Sequence, residues 1–86
     1  MPEYTIVFAR PARKELENLP SLPARRILSA IEQLQTNPRP SGVRKLQGAE
    51  ALWRLCVGDY RVLYAIDDAQ HLVDIQVIRH RKDAYR

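Results

Sequence analysis

The second half of the chain contains three apolar segments rich in β-branched and aromatic residues, separated by short interruptions. They span residues 52–57, 60–66 and 72–78. Gly58-Asp59 separates the first two segments, and a two-residue turn that begins with glycine is typical of a type II′ hairpin. Residues 67–70 have the composition of a second turn. Because strands joined by such short turns must run antiparallel, the sequence predicts a three-stranded meander.

The first half of the chain has one β-type segment, residues 4–8, followed by two segments of helical periodicity. Proline at position 11 suits the start of the first helix, and Pro20 ends it. Ser21 can cap the second helix, which ends before Asn37-Pro38. The apolar positions are Ala12, Leu16 and Leu19 in the first helix and Ile27, Leu28, Ile31 and Leu34 in the second. Helices joined by so few residues form an antiparallel hairpin, and residues 39–50 are expected to form a loop.

Together these elements predict an α+β fold in one domain that comprises residues 1–86, in the order β-α-α-β-β-β. A chain of 86 residues buries only about two-thirds of its unfolded surface. The helical hairpin can therefore cover one face of a four-stranded sheet, and the other face remains open. We expect any active site to lie on that open face.

Composition narrows the class of function. The formal net charge is +4, which favours a polyanionic partner such as RNA. A single cysteine, Cys56, and two distant histidines offer neither a disulfide framework nor a zinc site, so we expect no metal and no cofactor. With no apolar run near the ~20 residues of a membrane span and no signal peptide, we expect a cytoplasmic protein without a membrane partner.

Three strand arginines are candidates for phosphate binding. Side chains alternate across a strand, and the bulkier set of each strand should pack on the helices. This rule places Arg54 and Arg61 on the open face. Alternation groups Arg79 with the core-like Val73, Ile75 and Val77, and a bulge near Ile78 would turn it outward, so the sequence leaves its direction open.

The last eight residues, 79–86, combine several cations with a histidine and a tyrosine. Guanidinium groups bind phosphate and stabilise the charge of its transition state. His80 is a candidate general acid or base, or alternatively a structural hydrogen-bonding group that holds the tail. Tyr85 could serve as a base among surrounding cations, or could anchor the tail on the sheet. The tail therefore indicates a phosphate polymer as substrate.

Four motifs give the chain a resemblance to a known family. They are KLQG at residues 45–48, LWRL at 52–55, VGDYRVLY at 57–64 and HRKDAYR at 80–86. Together they resemble the RelE branch of the RelE/ParE superfamily, the toxins of type II toxin–antitoxin systems. The resemblance in element order covers the whole chain.

The resemblance implies an endoribonuclease that cleaves mRNA in the ribosomal A site without a metal. In that reaction the 2′-hydroxyl attacks the adjacent phosphate and leaves a 2′,3′-cyclic phosphate. The residues that match the catalytic positions are Arg54, Arg61, Arg79 and Tyr85, with His80 and Arg81 in the same motif. Those expected to contact RNA or the ribosome are Arg44, Lys45, Lys82 and Arg86. The implied partners are the ribosome, mRNA and a RelB-like antitoxin, through which the complex would bind operator DNA.

One position departs from the family pattern. Many members have a second basic residue two positions beyond Arg54, where this chain has Cys56. This departure leaves open a RelE-like binding protein with impaired activity. A ParE-type toxin, which shares the fold and blocks DNA gyrase without catalysis, is the other alternative to the nuclease.

Overall fold

The computed structural model describes residues 3–46 and 51–83. Its elements are β1 (Thr5–Phe8), α1 (Arg10–Asn18), α2 (Ser21–Gln33), β2 (Arg44–Lys45), β3 (Leu52–Val57), β4 (Tyr60–Asp67) and β5 (Leu72–His80). The predicted α+β class and the order of the predicted elements are confirmed. No helix within the described ranges is long and apolar enough to cross a membrane.

Within the described residues the sheet has five strands in the order β1-β5-β4-β3-β2, not the four that the sequence predicts. The additional strand is β2, which lies in the segment expected to be a loop and pairs antiparallel with β3. Two residues are too few to show a period, so the sequence carries no signal for this strand. The meander β3-β4-β5 is antiparallel as predicted, and β1 adds to β5 in parallel.

The core lies between the two helices and one face of the sheet. Its buried members are Ala12, Ile27, Ile31, Leu34, Val62, Tyr64, Val73, Ile75 and Ile78. Leu28, which the periodicity places in the apolar stripe of α2, is 38% exposed. Successive helix positions are rotated by about 100°, so Leu28 stands beside the stripe and not within it.

Tyr64 fastens the segment that follows α2 to the centre of the sheet. Its side chain is fully buried, and its hydroxyl donates a hydrogen bond of 2.8 Å to the carbonyl of Pro38. Burial raises the pKa of Tyr64 to about 12, because an ionised phenol would lose its hydration. The Tyr64 hydroxyl therefore stays protonated and keeps its hydrogen bond to the Pro38 carbonyl.

A second anchor, formed by Arg39, Asp68 and Tyr4, joins three distant segments at the surface. Arg39 Nη2 lies 2.7 Å from Asp68 Oδ2, and the Tyr4 hydroxyl donates a 2.6 Å hydrogen bond to Asp68 Oδ1. The hydrogen bonds that Arg39 and, to a smaller extent, Tyr4 donate to the Asp68 carboxylate lower the pKa of Asp68 to about 2. The guanidinium of Arg39 also stands 5.3 Å from the ring centroid of Trp53, which ties β3 to the same cluster.

A β-bulge in β5 determines which way the end of that strand faces. Leu63 pairs with Val77 and Tyr64 pairs with Ile75, so Gln76 has no partner in β4. The extra residue shifts the alternation by one position: Ile75 is buried before it and Ile78 is buried after it. Arg79 consequently points to the open face. The extra residue Gln76 explains this direction, which the sequence left open.

Candidate active site

Arg61 and Arg79 lie directly opposite each other on the open face of the sheet. Arg61 pairs with Arg79 across β4 and β5, and Cys56 pairs with Arg61 across β3 and β4. Residues directly opposite in an antiparallel ladder point to the same face, with Cβ atoms about 5 Å apart. The three side chains therefore form one row across the sheet.

Arg54 and Arg44 form a second pair in the neighbouring row. Arg54 is opposite Arg44 on β2 and opposite Leu63 on β4. Since Leu63 is two residues from Arg61, Arg54 and Arg61 are diagonal neighbours, with a separation of about 7–8 Å. We call Arg44, Arg54, Arg61 and Arg79 together the arginine face.

The predicted open-face placement of Arg54 and Arg61 is confirmed. The sequence placed Arg44 only in a loop at the border, because β2 is too short to be recognised. Its basic neighbour Lys45 pairs with Trp53 and so points to the helix side. Of the two residues predicted to contact RNA from this segment, only Arg44 joins the arginine face.

The electrostatics of the arginine face favour an anionic ligand. Like charges that stand directly opposite in a sheet are destabilising, and this face contains two such pairs. Arg54 and Arg61 are half-buried, while Arg44 and Arg79 are exposed. The ion pairs of Arg39 with Asp68 and of Arg81 with Asp59 do not involve Arg54 or Arg79. A phosphate placed between the opposed guanidinium groups would relieve their repulsion and accept their hydrogen bonds.

Arg81 stands at the end of the sheet beside this face. Its backbone N–H donates a 2.6 Å hydrogen bond to the carbonyl of Asp59, which continues the β4–β5 ladder past His80. Its side-chain Nε lies 3.6 Å from Asp59 Oδ1. Asp59 sits in the predicted glycine-first turn, where Gly58 has a φ of +58° that glycine adopts without strain.

His80 lies on the opposite side of the sheet from Arg61 and Arg79. It pairs with Tyr60, whose ring it meets edge to face at 5.1 Å between centroids. Its Nδ1 accepts a 3.2 Å hydrogen bond from the backbone N–H of Lys82. This geometry favours the tail-holding role over acid–base chemistry, and the catalytic role of His80 stays a prediction.

Only part of the tail beyond β5 is among the described residues, which end at Asp83. Lys82 is exposed and follows β5 in a turn. Tyr85 and Arg86, predicted for catalysis and RNA contact, lie outside the described residues, as do positions 47 and 48 of the KLQG motif. Within the described ranges, His, Cys, Asp and Glu side chains form no group of three or more that could hold a metal ion.

Comparison with known proteins assigns the chain to a family. A family model described as the ParE toxin of the type II toxin–antitoxin system parDE matches residues 6–85. Toxin RelG of Mycobacterium tuberculosis is 37% identical, with 96% of this chain and 97% of that protein covered. Toxin RelE of the same organism is 34% identical over 96% of this chain and 87% of that protein. The chain belongs to the RelE/ParE superfamily of type II toxins.

Within that superfamily it is a RelE-type toxin, as the resemblance of its motifs implied. The fold agrees: the archaeal RelE in the crystal structure of a RelE–RelB complex from Pyrococcus horikoshii superposes with a TM-score of 0.82 at 30% identity. That alignment covers 94% of this chain and 97% of the other. The arginine face is thus a feature of a RelE-type toxin.

Cys56 is at the position where this chain departs from the RelE-type pattern. The residue is exposed, with a free thiol, and stands directly opposite Arg61 in the row that ends at Arg79. A cation there would have brought a further positive charge beside two arginines. This toxin instead has the small side chain of a cysteine, so the positive charge of that row comes from Arg61 and Arg79.

Proposed function

We propose that this toxin is a ribosome-dependent endoribonuclease that cleaves mRNA in the A site and thereby inhibits translation. The observation that carries the proposal is the pairing of Arg61 with Arg79 on the open face, with Arg54 diagonal to Arg61. Two opposed guanidinium groups can hold the non-bridging oxygens of one phosphate from both sides.

The proposed reaction is an internal transesterification. The 2′-oxygen forms a bond to the adjacent phosphorus as its proton passes to a base, and the bond from phosphorus to the 5′-oxygen breaks as that oxygen takes up a proton. The products are a 2′,3′-cyclic phosphate and a 5′-hydroxyl. The phosphoryl group gains negative charge in the transition state, which fixed cations stabilise more than the ground state. The balance requires no metal, cofactor or water.

The residues take their roles from their places. Arg61 and Arg79 hold the scissile phosphate, and Arg54 holds it from the neighbouring strand. Tyr85, which lies outside the described residues, is the candidate for the base or for positioning the mRNA because it matches the terminal tyrosine of the RelE motif. Arg81, which is tied to Asp59, adds positive charge at the end of the sheet.

Dependence on the ribosome follows from the shape of the site. The arginine face is one side of a sheet, over which a flexible RNA strand can lie in many orientations. An mRNA codon already fixed in the A site would have lost most of that freedom before the toxin binds. Arg44, Lys45, Lys82 and Arg86 are the cations that we expect to contact ribosomal RNA.

The proposed partner is a RelB-like antitoxin. The archaeal relative was solved as a RelE–RelB complex, and a net charge of +4 favours an acidic partner segment over the arginine face. We expect the complex to bind operator DNA through the antitoxin. A toxin that acts on translating ribosomes would work in the cytoplasm.

The match to a model described as ParE toxin supports a second candidate, a toxin that blocks DNA gyrase without catalysis. Such a toxin needs no paired arginines at a scissile phosphate. The arginine face therefore favours the nuclease, and the two functions differ in what each leaves behind: cut mRNA or inhibited gyrase.

The test is primer extension on a translated mRNA after induced expression of wild-type toxin, Arg61→Ala and Tyr85→Phe. Arg13→Ala, which removes an exposed arginine from α1, is the control. We expect codon-periodic cuts that require translation, that fall on the order of 100-fold in Arg61→Ala and that persist in Arg13→Ala. Intact mRNA together with inhibited gyrase would overturn the nuclease in favour of the alternative.

A further inference from the structure

A cavity of about 170 Å³ opens between α2 and the turn that joins β3 to β4. Its lining residues are Pro23, Arg26, Val57, Gly58, Asp59 and Tyr60. We call it the turn cavity. None of the motif-based roles assigned above involves it.

The turn cavity and the arginine face meet at the same end of the sheet. Val57, Tyr60 and His80 form the last row of the ladder, and Cys56, Arg61 and Arg79 form the row before it. Neighbouring rows are only about 3.3 Å apart along a strand and point to opposite faces. An RNA strand whose phosphate rests on Arg61 and Arg79 can therefore pass over the end of the sheet and bring a flanking nucleotide to the cavity.

The lining has the chemistry of a base-binding pocket. Tyr60 is half-buried, and the His80 ring stands against it edge to face. Arg26 is exposed on α2, and a guanidinium can stack on a base or donate hydrogen bonds to it. Above Gly58 the space is open, since a Cβ built there would have no heavy atom within 4 Å. A cavity of about 150 Å³ accommodates one aromatic ring, so the size suits a single nucleobase.

We propose that the turn cavity binds one nucleobase of the RNA strand next to the scissile phosphate. Tyr60 supplies the aromatic surface and Arg26 the cation. The inference rests on the proposed function and deepens it by adding a subsite that would determine sequence preference. An RNA occupant fits better than a protein segment because the cavity holds one ring and adjoins the arginine face.

The first test measures cleavage of ribosome-bound mRNAs that differ only in the bases flanking the cut. Arg26→Ala is compared with Arg25→Ala, which removes the exposed arginine next to it in α2 outside the cavity. Tyr60→Leu is compared with Tyr60→Phe, which keeps the ring. We expect Arg26→Ala and Tyr60→Leu to lower kcat/KM about tenfold on the preferred base and to level the differences among bases. Arg25→Ala and Tyr60→Phe should keep both. Equal effects of Arg25→Ala and Arg26→Ala would overturn the subsite.

The second test does not depend on cleavage. A short 2′-O-methyl RNA, which cannot be cut, is titrated into labelled toxin and compared with the same strand lacking one base. We expect amide signals of Arg26, Gly58 and Tyr60 to shift with the complete strand and to return when the flanking base is missing. If these shifts occur but mRNA is not cut, the result supports the base-binding subsite and refutes the proposed nuclease function. Signals that move only at Arg61 and Arg79, or only when an antitoxin peptide is added, would overturn the subsite whatever the cleavage result.

Discussion

At the scale of single residues, the site depends on cations that the sheet holds in unfavourable proximity. Arg61 faces Arg79, and Arg44 faces Arg54. Like charges directly opposite each other in a sheet repel. The arginine face thus concentrates positive charge on one side of the sheet, where it can bind an anionic group.

Simple alternation of side chains predicts the correct face of the sheet where the strands are regular. It placed Arg54 and Arg61 correctly because β3 and the first half of β4 are regular. It could not decide Arg79, since one unpaired residue in β5 reverses the alternation. The sequence associates His80 with the candidate catalytic arginines because they are neighbours along the chain, although neighbours in a strand point to opposite faces.

Asp68 provides a residue-scale prediction about pH. Its pKa of about 2 in the folded toxin lies below the ordinary value of about 4. Its stabilising contribution is thus complete above pH ~4 and is lost as the pH falls towards 2. We expect Asp68→Asn to lower the Tm at neutral pH, and the difference from wild type to shrink between pH ~4 and ~2. Thermal unfolding across this range, with Glu17→Gln on α1 as control, checks it; a constant difference would contradict it.

At the scale of elements, the bulge in β5 connects the core to the site. The strand places Ile75 and Ile78 in the core and still points Arg79 outward, which requires one extra residue between them. Strand β2 has a similar effect at the opposite end of the arginine face, where two residues align Arg44 with Arg54. Both features are too short to produce a period in the sequence, which explains why the meander was predicted and these details were not.

Deleting Gln76 tests the role of the bulge. The deletion would force the end of β5 either to expose Ile78 and bury Arg79 or to shift against β4. We expect a loss of about 3 kcal/mol or more in the free energy of unfolding. Gln76→Ala keeps the extra residue and should stay near wild type. Chemical denaturation measures both, and a deletion variant as stable as Gln76→Ala would show that the bulge does not set the direction of Arg79.

At the scale of the whole molecule, charge and shape together set the mode of action. Among the described residues, the helices cover one face of a five-stranded sheet, and the arginine face lies on the other. A chain of this size with a net charge of +4 can approach a polyanion over a wide surface. The family motifs and the element order indicated this arrangement from sequence alone, whereas the turn cavity is visible only once α2 is packed beside the β3–β4 turn.

The salt dependence of ribosome binding measures how much the toxin's positive charges contribute to affinity. Binding of the toxin to ribosomes should weaken as salt rises, because each phosphate contact releases counterions. We expect Arg79→Ala to reduce the slope of log K against log salt by about 1 and Arg13→Ala to leave it unchanged. Binding measured at several salt concentrations checks the two slopes. Identical slopes for wild type and Arg79→Ala would exclude a phosphate contact at Arg79.

The proposed function requires Arg61 and Arg79 to act together on one phosphate. A double-mutant cycle in single-turnover cleavage of ribosome-bound mRNA tests it most directly, with Arg61→Ala, Arg79→Ala and the double variant. We expect each single change to slow cleavage on the order of 100-fold and the double change to slow it by much less than the product, since both remove one shared interaction. Rates that multiply, or single variants that cleave as fast as wild type, would contradict it.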